Sequence, residues 1–282
     1  MTGFVNIDKA AGVSSAREVN IIKRLTGTPC GHLGTLDPMA NGVLPVAIGN
    51  AARLFDYFLS KRKTYVATFL FGADSETLDT SSELTVSDGR IPSAREIEEL
   101  LPQLCGEVMQ IPPKYSAKNI AGKRGYQLAR AGVDFELPPK KVNIYSMRLL
   151  KMANARSFVF EIECGGGTYI RSIARDLGKA LGTYAVMSAL TRTKSGCFEI
   201  GNSVKTDFLT EKNVAEFIIP TDSVLPFESI YPTAYEAKKL FNGLAVESVL
   251  PCGTYKIYYT DGSFYGLAEV KDKKLKVRTK LC

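Results

Sequence analysis

The sequence predicts an α+β protein, because three of its signals demand both helices and strands. One is a run at 64–71 that places Tyr65, Ala67, Phe69 and Phe71 on a single face, the period of two that buries one side of a sheet. A second is the pair Ser15-Ala16-Arg17-Glu18 and Ser93-Ala94-Arg95-Glu96. Each offers a hydroxyl and, three residues on, a carboxylate, the combination that satisfies the free amides of a helix N-terminus. The third is Asp261-Gly262 between TYKIYYT and SFYGLAEV, a dipeptide suited to the tight turn of a hairpin.

In chain order, a short strand at 4–7 enters an Ala-Gly loop at 10–13, and the first helix runs from Ser15 toward Gly27. The strand at 64–71 follows, then the helix opened by the second box. Residues 108–141 hold four prolines and three glycines without a periodic run, and read as an extended, mobile insertion. Strand-like runs lie at 142–150 and 157–163, and the glycines at 165–167 lead into a helix at 170–181. Leu225-Pro226-Phe227-Glu228 marks a boundary between a large unit, 1–228, and a small one, 229–282. The small unit has a short helix at 234–240 and a β-rich end.

Composition limits the function classes. The 282 residues are 45% hydrophobic and 23% charged, ordinary values for a globular chain. No apolar run reaches about 18 residues, so no membrane helix is expected. The first residues lack the basic-then-apolar layout of a secretory signal, and a cytoplasmic location is expected. Six scattered cysteines without a Cys-x-x-Cys pair, and one histidine, argue against a zinc site. Net charge is +7 but uneven: nine acids crowd 74–107, whereas Lys114, Lys118, Lys123, Arg124, Arg130, Lys140 and Lys141 crowd 112–141, and five lysines with Arg278 occupy 271–280. Such clustering suits a polyanion, and equally a solvated lysine-rich surface.

The only histidine, His32, and an isolated acid, Asp37, share the stretch GHLGTLDPMANGVLPVAIGNAARL. Neither Gly-Lys-Ser/Thr nor Gly-x-Gly-x-x-Gly occurs, so a phosphate loop is excluded. No further histidine completes a metal set, and no Gly-x-Ser-x-Gly supplies a serine nucleophile. Two readings of Asp37 stay open: a turn residue before Pro38, or a nucleophile or base whose ionised form an arginine would favour.

The same stretch closely resembles the signature of the TruB family of pseudouridine synthases. FVNIDKAAGVSS is similar to the family's N-terminal element, KTYVATFLFGADSETLDTSS to its second motif and IPPKYSAKNIAGKRGYQLAR to its RNA-contacting insertion. CGGGTYIRSIARDLGKALGTYAVMSALTRTKSG resembles its later active-site motifs, and the C-terminal part its PUA-like domain. The resemblance spans nearly the whole chain in order. It implies a pseudouridine-synthase fold, a mixed and mainly antiparallel sheet flanked by helices and loops, with a small β-rich PUA-like domain.

It also implies isomerisation of a uridine in the T-loop of tRNA, position 55, by base flipping, with no cofactor and with the T-arm stem-loop as partner. Asp37 matches the aspartate that attacks the target nucleotide, and Arg171 its carboxylate partner. Tyr65 matches the tyrosine that packs on the base and is a candidate acceptor of the C5 proton. His32 matches the histidine that fills the space of the flipped nucleotide, and Tyr169 and Leu190 line the pocket. Lys9, Lys123, Arg124 and Tyr126 are expected at the RNA backbone, although Ala10 stands where the family usually has proline after Asp-Lys. A monomer is expected. The alternative is a non-catalytic RNA-binding or tRNA-folding protein on the same scaffold.

Overall fold

Strand β1 (Gly3–Lys9) leads through a turn into helix α1 (Ser15–Thr26); the computed structural model describes residues 1–86, 90–116, 118–120 and 122–282. The helix is capped by Ser14, whose hydroxyl accepts from the Arg17 amide, and ends on Gly27 at φ 62°. This corrects the expected Ser15–Glu18 box. The Ser15 hydroxyl instead exchanges two 2.9 Å hydrogen bonds with the backbone of Leu36. Buried Glu18 accepts from the Thr206 hydroxyl at 2.7 Å.

Strands β2 (Cys30–His32) and β3 (Asn41–Ile48) flank the loop that carries Asp37. After helix α2 (Phe55–Leu59), strand β4 (Lys63–Phe71) alternates as predicted, with Tyr65, Ala67, Phe69 and Phe71 buried. Strands β5 (Ala73–Asp74) and β6 (Thr85–Val86) form a ribbon at the base of the segment holding Asp79. Helix α3 (Ala94–Leu100) opens on the predicted box, with the hydroxyl of Ser93 and the carboxylate of Glu96 each taking the other's amide.

Strand β7 (Gly106–Gln110) is followed by the hairpin β8 (Asn119–Ile120) and β9 (Lys123–Arg124), helix α4 (Gly125–Arg130) and strand β10 (Lys140–Asn154). The expectation of a uniformly extended segment over 108–141 is corrected. Its ends belong to β7 and β10, paired with Gln110 facing Lys140, and its middle holds a hairpin and a helical turn. Elements this short leave no periodic signal to read.

Strand β11 (Ser157–Cys164), helix α5 (Ile170–Ala180), strand β12 (Ala185–Ser195) and strand β13 (Phe198–Glu199) complete the larger sheet. Its order is β1-β3-β12-β4-β11-β10-β7, with β2 beside β3 and β13 beside β12. Within this sheet β3 and β12 are the one parallel pair among the described residues, matching Asn41 with Thr191 and Gly42 with Arg192. Helix α5 meets β12 at Gly178, where a Cβ would come within 2.6 Å of the Ala185 nitrogen. The core is one apolar cluster that includes Leu36, Leu44, Tyr65, Phe69, Phe160 and Leu190.

A second sheet has the order β14-β16-β17-β18-β15. It comprises β14 (Ser229–Ile230), β15 (Val246–Glu247), β16 (Gly253–Tyr258), β17 (Phe264–Lys271) and β18 (Lys274–Lys280), with helix α6 (Ala234–Phe241) packed against it. The predicted hairpin forms between β16 and β17, with Gly262 at φ 84°. Leu240, Tyr255, Ile257 and Leu275 fill this unit's own core, while Leu267 and Leu281 join Phe4, Val43 and Phe58 across the seam to the larger sheet. No helix among the described residues is long and apolar enough to cross a membrane.

Candidate active site

Asp37 stands on the β2–β3 loop, and that loop is tied down on both sides of it. Leu36 is held by the Ser15 hydroxyl, and the Pro38 carbonyl accepts from the Gly12 amide at 2.8 Å and from the Lys9 ammonium at 3.2 Å. Further along the chain Arg192 donates to the carbonyls of Gly34 and Val43 at 3.0 and 2.7 Å. Fixing the flanking backbone leaves the carboxylate as the projecting group.

Arg171, in the first turn of α5, collects three segments that are distant in sequence. Its Nε lies 3.0 Å from Asp37 Oδ2 and its Nη1 3.5 Å from Asp79 Oδ2. Nη1 also donates to the Thr77 carbonyl at 2.9 Å, and Nη2 to the Tyr115 carbonyl of the insertion at 3.1 Å. The two carboxylates differ in access: the Asp37 side chain is 34% exposed, that of Asp79 only 5%. Asp37 is therefore the one open to an incoming molecule. Asp79 is saturated by its own loop, accepting from the Thr77 hydroxyl at 2.7 Å and the Ser81 amide at 2.9 Å. That loop is bent by Leu78, whose φ of 59° is strained for a branched side chain.

The electrostatics modify the expected picture. Burial pushes the Asp37 carboxyl above its ordinary range, and the charge of Asp79 adds to the push. Arg171, by charge and hydrogen bond, and Lys9 by charge, pull the other way without cancelling it. The arginine thus limits the rise rather than holding the group low. His32 is shifted down, by burial first and then by the charge of Arg192, so the imidazole is neutral near pH 7. Its buried Nδ1 has no hydrogen-bond partner among the described residues. Burial pushes the Tyr65 phenol up, against the charge and hydrogen bond of Arg192.

Tyr65 and Leu190 share the apolar cluster that also holds Leu36 and Ile170, the neighbours of Asp37 and Arg171. Tyr169 precedes α5, and its backbone is clamped by Gln110, which accepts from the Tyr169 amide at 2.8 Å and donates to its carbonyl at 3.1 Å. Asp37, Arg171, Tyr65, Leu190 and Tyr169 are thereby gathered around one region. Tyr126 lies on α4, 39% exposed, with the Arg130 guanidinium 5.8 Å from its ring centre. The side chains of Lys123 and Arg124 lie outside the described residues.

Lys9 departs from its expected place at the RNA backbone. It is fully buried, and its ammonium donates to the carbonyls of Ala10, Val13 and Pro38. Burial draws its pKa down to about 8. In this position Lys9 is an internal brace of the Asp37 loop, and it holds the Ala10 turn without help from a proline.

Reading the sequence also passed over Asp79, Gln110 and Arg192. For Asp79 a signal exists, a single acid set among Thr77, Thr80, Ser81 and Ser82, side chains that hydrogen-bond a carboxylate locally. Gln110 and Arg192 carry none, because their partners are carbonyls and amides brought by tertiary folding.

The family model described as TruB family pseudouridylate synthase (N terminal domain) matches residues 23–170. The chain belongs to the TruB family of pseudouridine synthases. The model for the tRNA pseudouridylate synthase B C-terminal domain matches residues 171–229, so the join between the two falls at Arg171, inside the TruB site. TruB relatives include the tRNA pseudouridine synthase B of Clostridium tetani, 36% identical over 98% of each chain. That of Caldicellulosiruptor saccharolyticus is 38% identical over 86% of this chain and 83% of its own. The backbone also resembles a chain of a Cbf5-Nop10-Gar1 complex, with TM-score 0.72 and 24% identity over 99% of this chain and 85% of that one. That likeness concerns the fold.

Proposed function

We propose that this enzyme isomerises uridine 55 in the T-loop of tRNA to pseudouridine. The observation that carries the reading is the Asp37–Arg171 contact at 3.0 Å, with Asp37 partly exposed beside an apolar cluster that holds Leu36 and Tyr65. A loop uridine must leave its stack first, at a cost of a few kcal/mol. An aromatic face such as that of Tyr65 returns about 1–3 kcal/mol per base. His32 takes up the vacated space, its unpartnered nitrogen meeting the displaced nucleotide. The Asp37 carboxylate attacks the sugar carbon as its bond to the uracil nitrogen breaks; the base then turns, and its C5 takes that sugar carbon back as the carboxylate leaves. Loss of the C5 proton and uptake of one at the freed ring nitrogen restore the ring, so the atoms balance with no oxidant and no cofactor. Tyr65 is protonated at neutral pH, so it takes the C5 proton only by passing on its own in the same step.

In this reading residues 1–228 form the catalytic unit, 229–282 a PUA-like accessory unit, and the protein works as a cytoplasmic monomer. The deciding experiment is incubation with an unmodified tRNA transcript and mapping of pseudouridine. Product at position 55 supports the reading, and its absence there rejects it.

The direction of the Asp37 shift sets the pH dependence. Lowering the pH through a raised carboxyl value protonates the nucleophile, so the rate is full above that value and lost below it. The acid limb of single-turnover isomerisation is expected above the ordinary aspartate value of about 3.9. A limb at or below that value contradicts the burial described. The basic insertion is assigned to the phosphates. Replacing Lys123 and Arg124 together by serine is expected to weaken tRNA binding and to flatten its salt dependence by about one unit of slope per lost contact. The rate with bound tRNA stays near that of the parent. Binding titrations at several salt concentrations check this.

A further inference from the structure

Lys9 is not alone among the described residues as a charge buried beside the Asp37 loop. Arg192, on β12, is 1% exposed. Its Nε donates to the Val43 carbonyl at 2.7 Å, Nη2 to that of Gly34 at 3.0 Å and Nη1 to that of Thr35 at 3.5 Å. All three acceptors lie on the Asp37 loop or just beyond it, and none is a carboxylate. Burying a cation on carbonyls alone is costly, and an apolar side chain would fill the volume at lower cost.

The loop is moulded onto this residue at both ends. A Cβ on Gly34 would stand 3.6 Å from Arg192 Nη1, and one on Gly42 would stand 2.4 Å from the Arg192 carbonyl oxygen. Gly42 adopts φ 95° to pass. On its other side Arg192 pairs across the sheet with Tyr65, and its charge works against the burial that pushes the Tyr65 phenol up. Its charge also reaches His32, Lys63, Lys9 and Cys164. One residue thus grips the loop of the nucleophile and sits opposite the aromatic residue of the pocket on the neighbouring strand.

We propose that Arg192 is a positioning residue for the isomerisation: its guanidinium sets the Asp37 loop, through three carbonyls, relative to the Tyr65 face on which uracil stacks. The proposal rests on the function assigned above. A loop displaced by about 1 Å costs on the order of 100-fold in rate. The loss belongs in kcat, because the phosphate-binding insertion is elsewhere.

Two variants and one spectroscopic reading test it. Arg192→Lys keeps the charge but cannot span three carbonyls in a planar fork, and Arg192→Gln removes the charge. Both are expected to lower kcat on unmodified tRNA by about 100-fold with KM little changed. His32 is the only histidine, so its imidazole gives a single NMR titration. That titration is expected to stay low in Arg192→Lys and to rise in Arg192→Gln, a response that loop disorder alone does not give. An Arg192→Lys enzyme of near-parental kcat, a loss confined to KM, or a His32 titration unmoved in Arg192→Gln overturns the proposal. Collapse of both variants in a thermal melt overturns it too, since Arg192 would then serve the fold and not the site. If the parent enzyme makes no pseudouridine in the same assay, the functional assignment fails, while the His32 titration still reports on Arg192.

Discussion

Asp37→Asn is expected to give no detectable pseudouridine while binding tRNA as tightly as the parent. An amide oxygen of the same shape is a poor nucleophile toward a sugar carbon, whereas the phosphate contacts assigned to the insertion do not involve it. Stability should hold or rise. The substitution removes a carboxylate that burial and Asp79 both disfavour, and Arg171 keeps Asp79 as its partner. Sites of chemistry commonly sacrifice stability in this way. Product mapping, filter binding and a thermal melt check the three parts. Tight binding without product also separates the enzyme from the alternative of a pure RNA-binding or tRNA-folding protein, because only a catalyst needs the carboxylate. Unaltered pseudouridine formation would remove Asp37 from the mechanism altogether.

Arg171→Met should damage both stability and rate. The guanidinium is 7% exposed and serves two carboxylates and two carbonyls. Its loss leaves Asp37 and Asp79 facing each other without a cation. Breaking a buried pair costs about 3–5 kcal/mol, which at ~2–4 °C per kcal/mol for a chain of this size is a fall in Tm on the order of 10 °C. The pull of Arg171 on the Asp37 carboxyl also disappears, so its already raised value climbs further. The acid limb of the rate profile should therefore move to higher pH, with partial recovery of rate in alkaline buffer. A profile that falls uniformly at every pH would mean that Arg171 acts on geometry alone. The insertion should loosen as well, since the Tyr115 carbonyl loses its donor, and faster hydrogen exchange at residues 111–116 would report it.

Strand β4 was readable because alternation survives any tertiary context that buries one face of a sheet. The α1 cap was misplaced by a single residue. Ser14 and Ser15 are adjacent hydroxyls, and what separates them is Thr206, which takes Glu18 away from any box from 188 positions along the chain. Taken from the residues alone, Asp37 was an acid before a proline. The role proposed for it rests on the ordered likeness to TruB motifs, which also carried Arg171, 134 positions away in sequence. Lys9 was expected at the RNA backbone on the strength of the resemblance, and its burial at the end of β1 corrects that. Three carbonyls folded over it are invisible in one dimension. Arg192 and Gln110 escaped for the same reason, since the groups they hold belong to the backbone, which every residue shares.

The strand pair Gln110–Lys140 has a further consequence. The chain departs from the sheet and comes back at facing rungs of one ladder, so whatever is threaded between them can grow, shrink or be swapped at an entropic cost that rises only with the logarithm of its length. A replacement excursion should then be tolerated by the sheet, provided that it still offers Arg171 the carbonyl that Tyr115 now supplies.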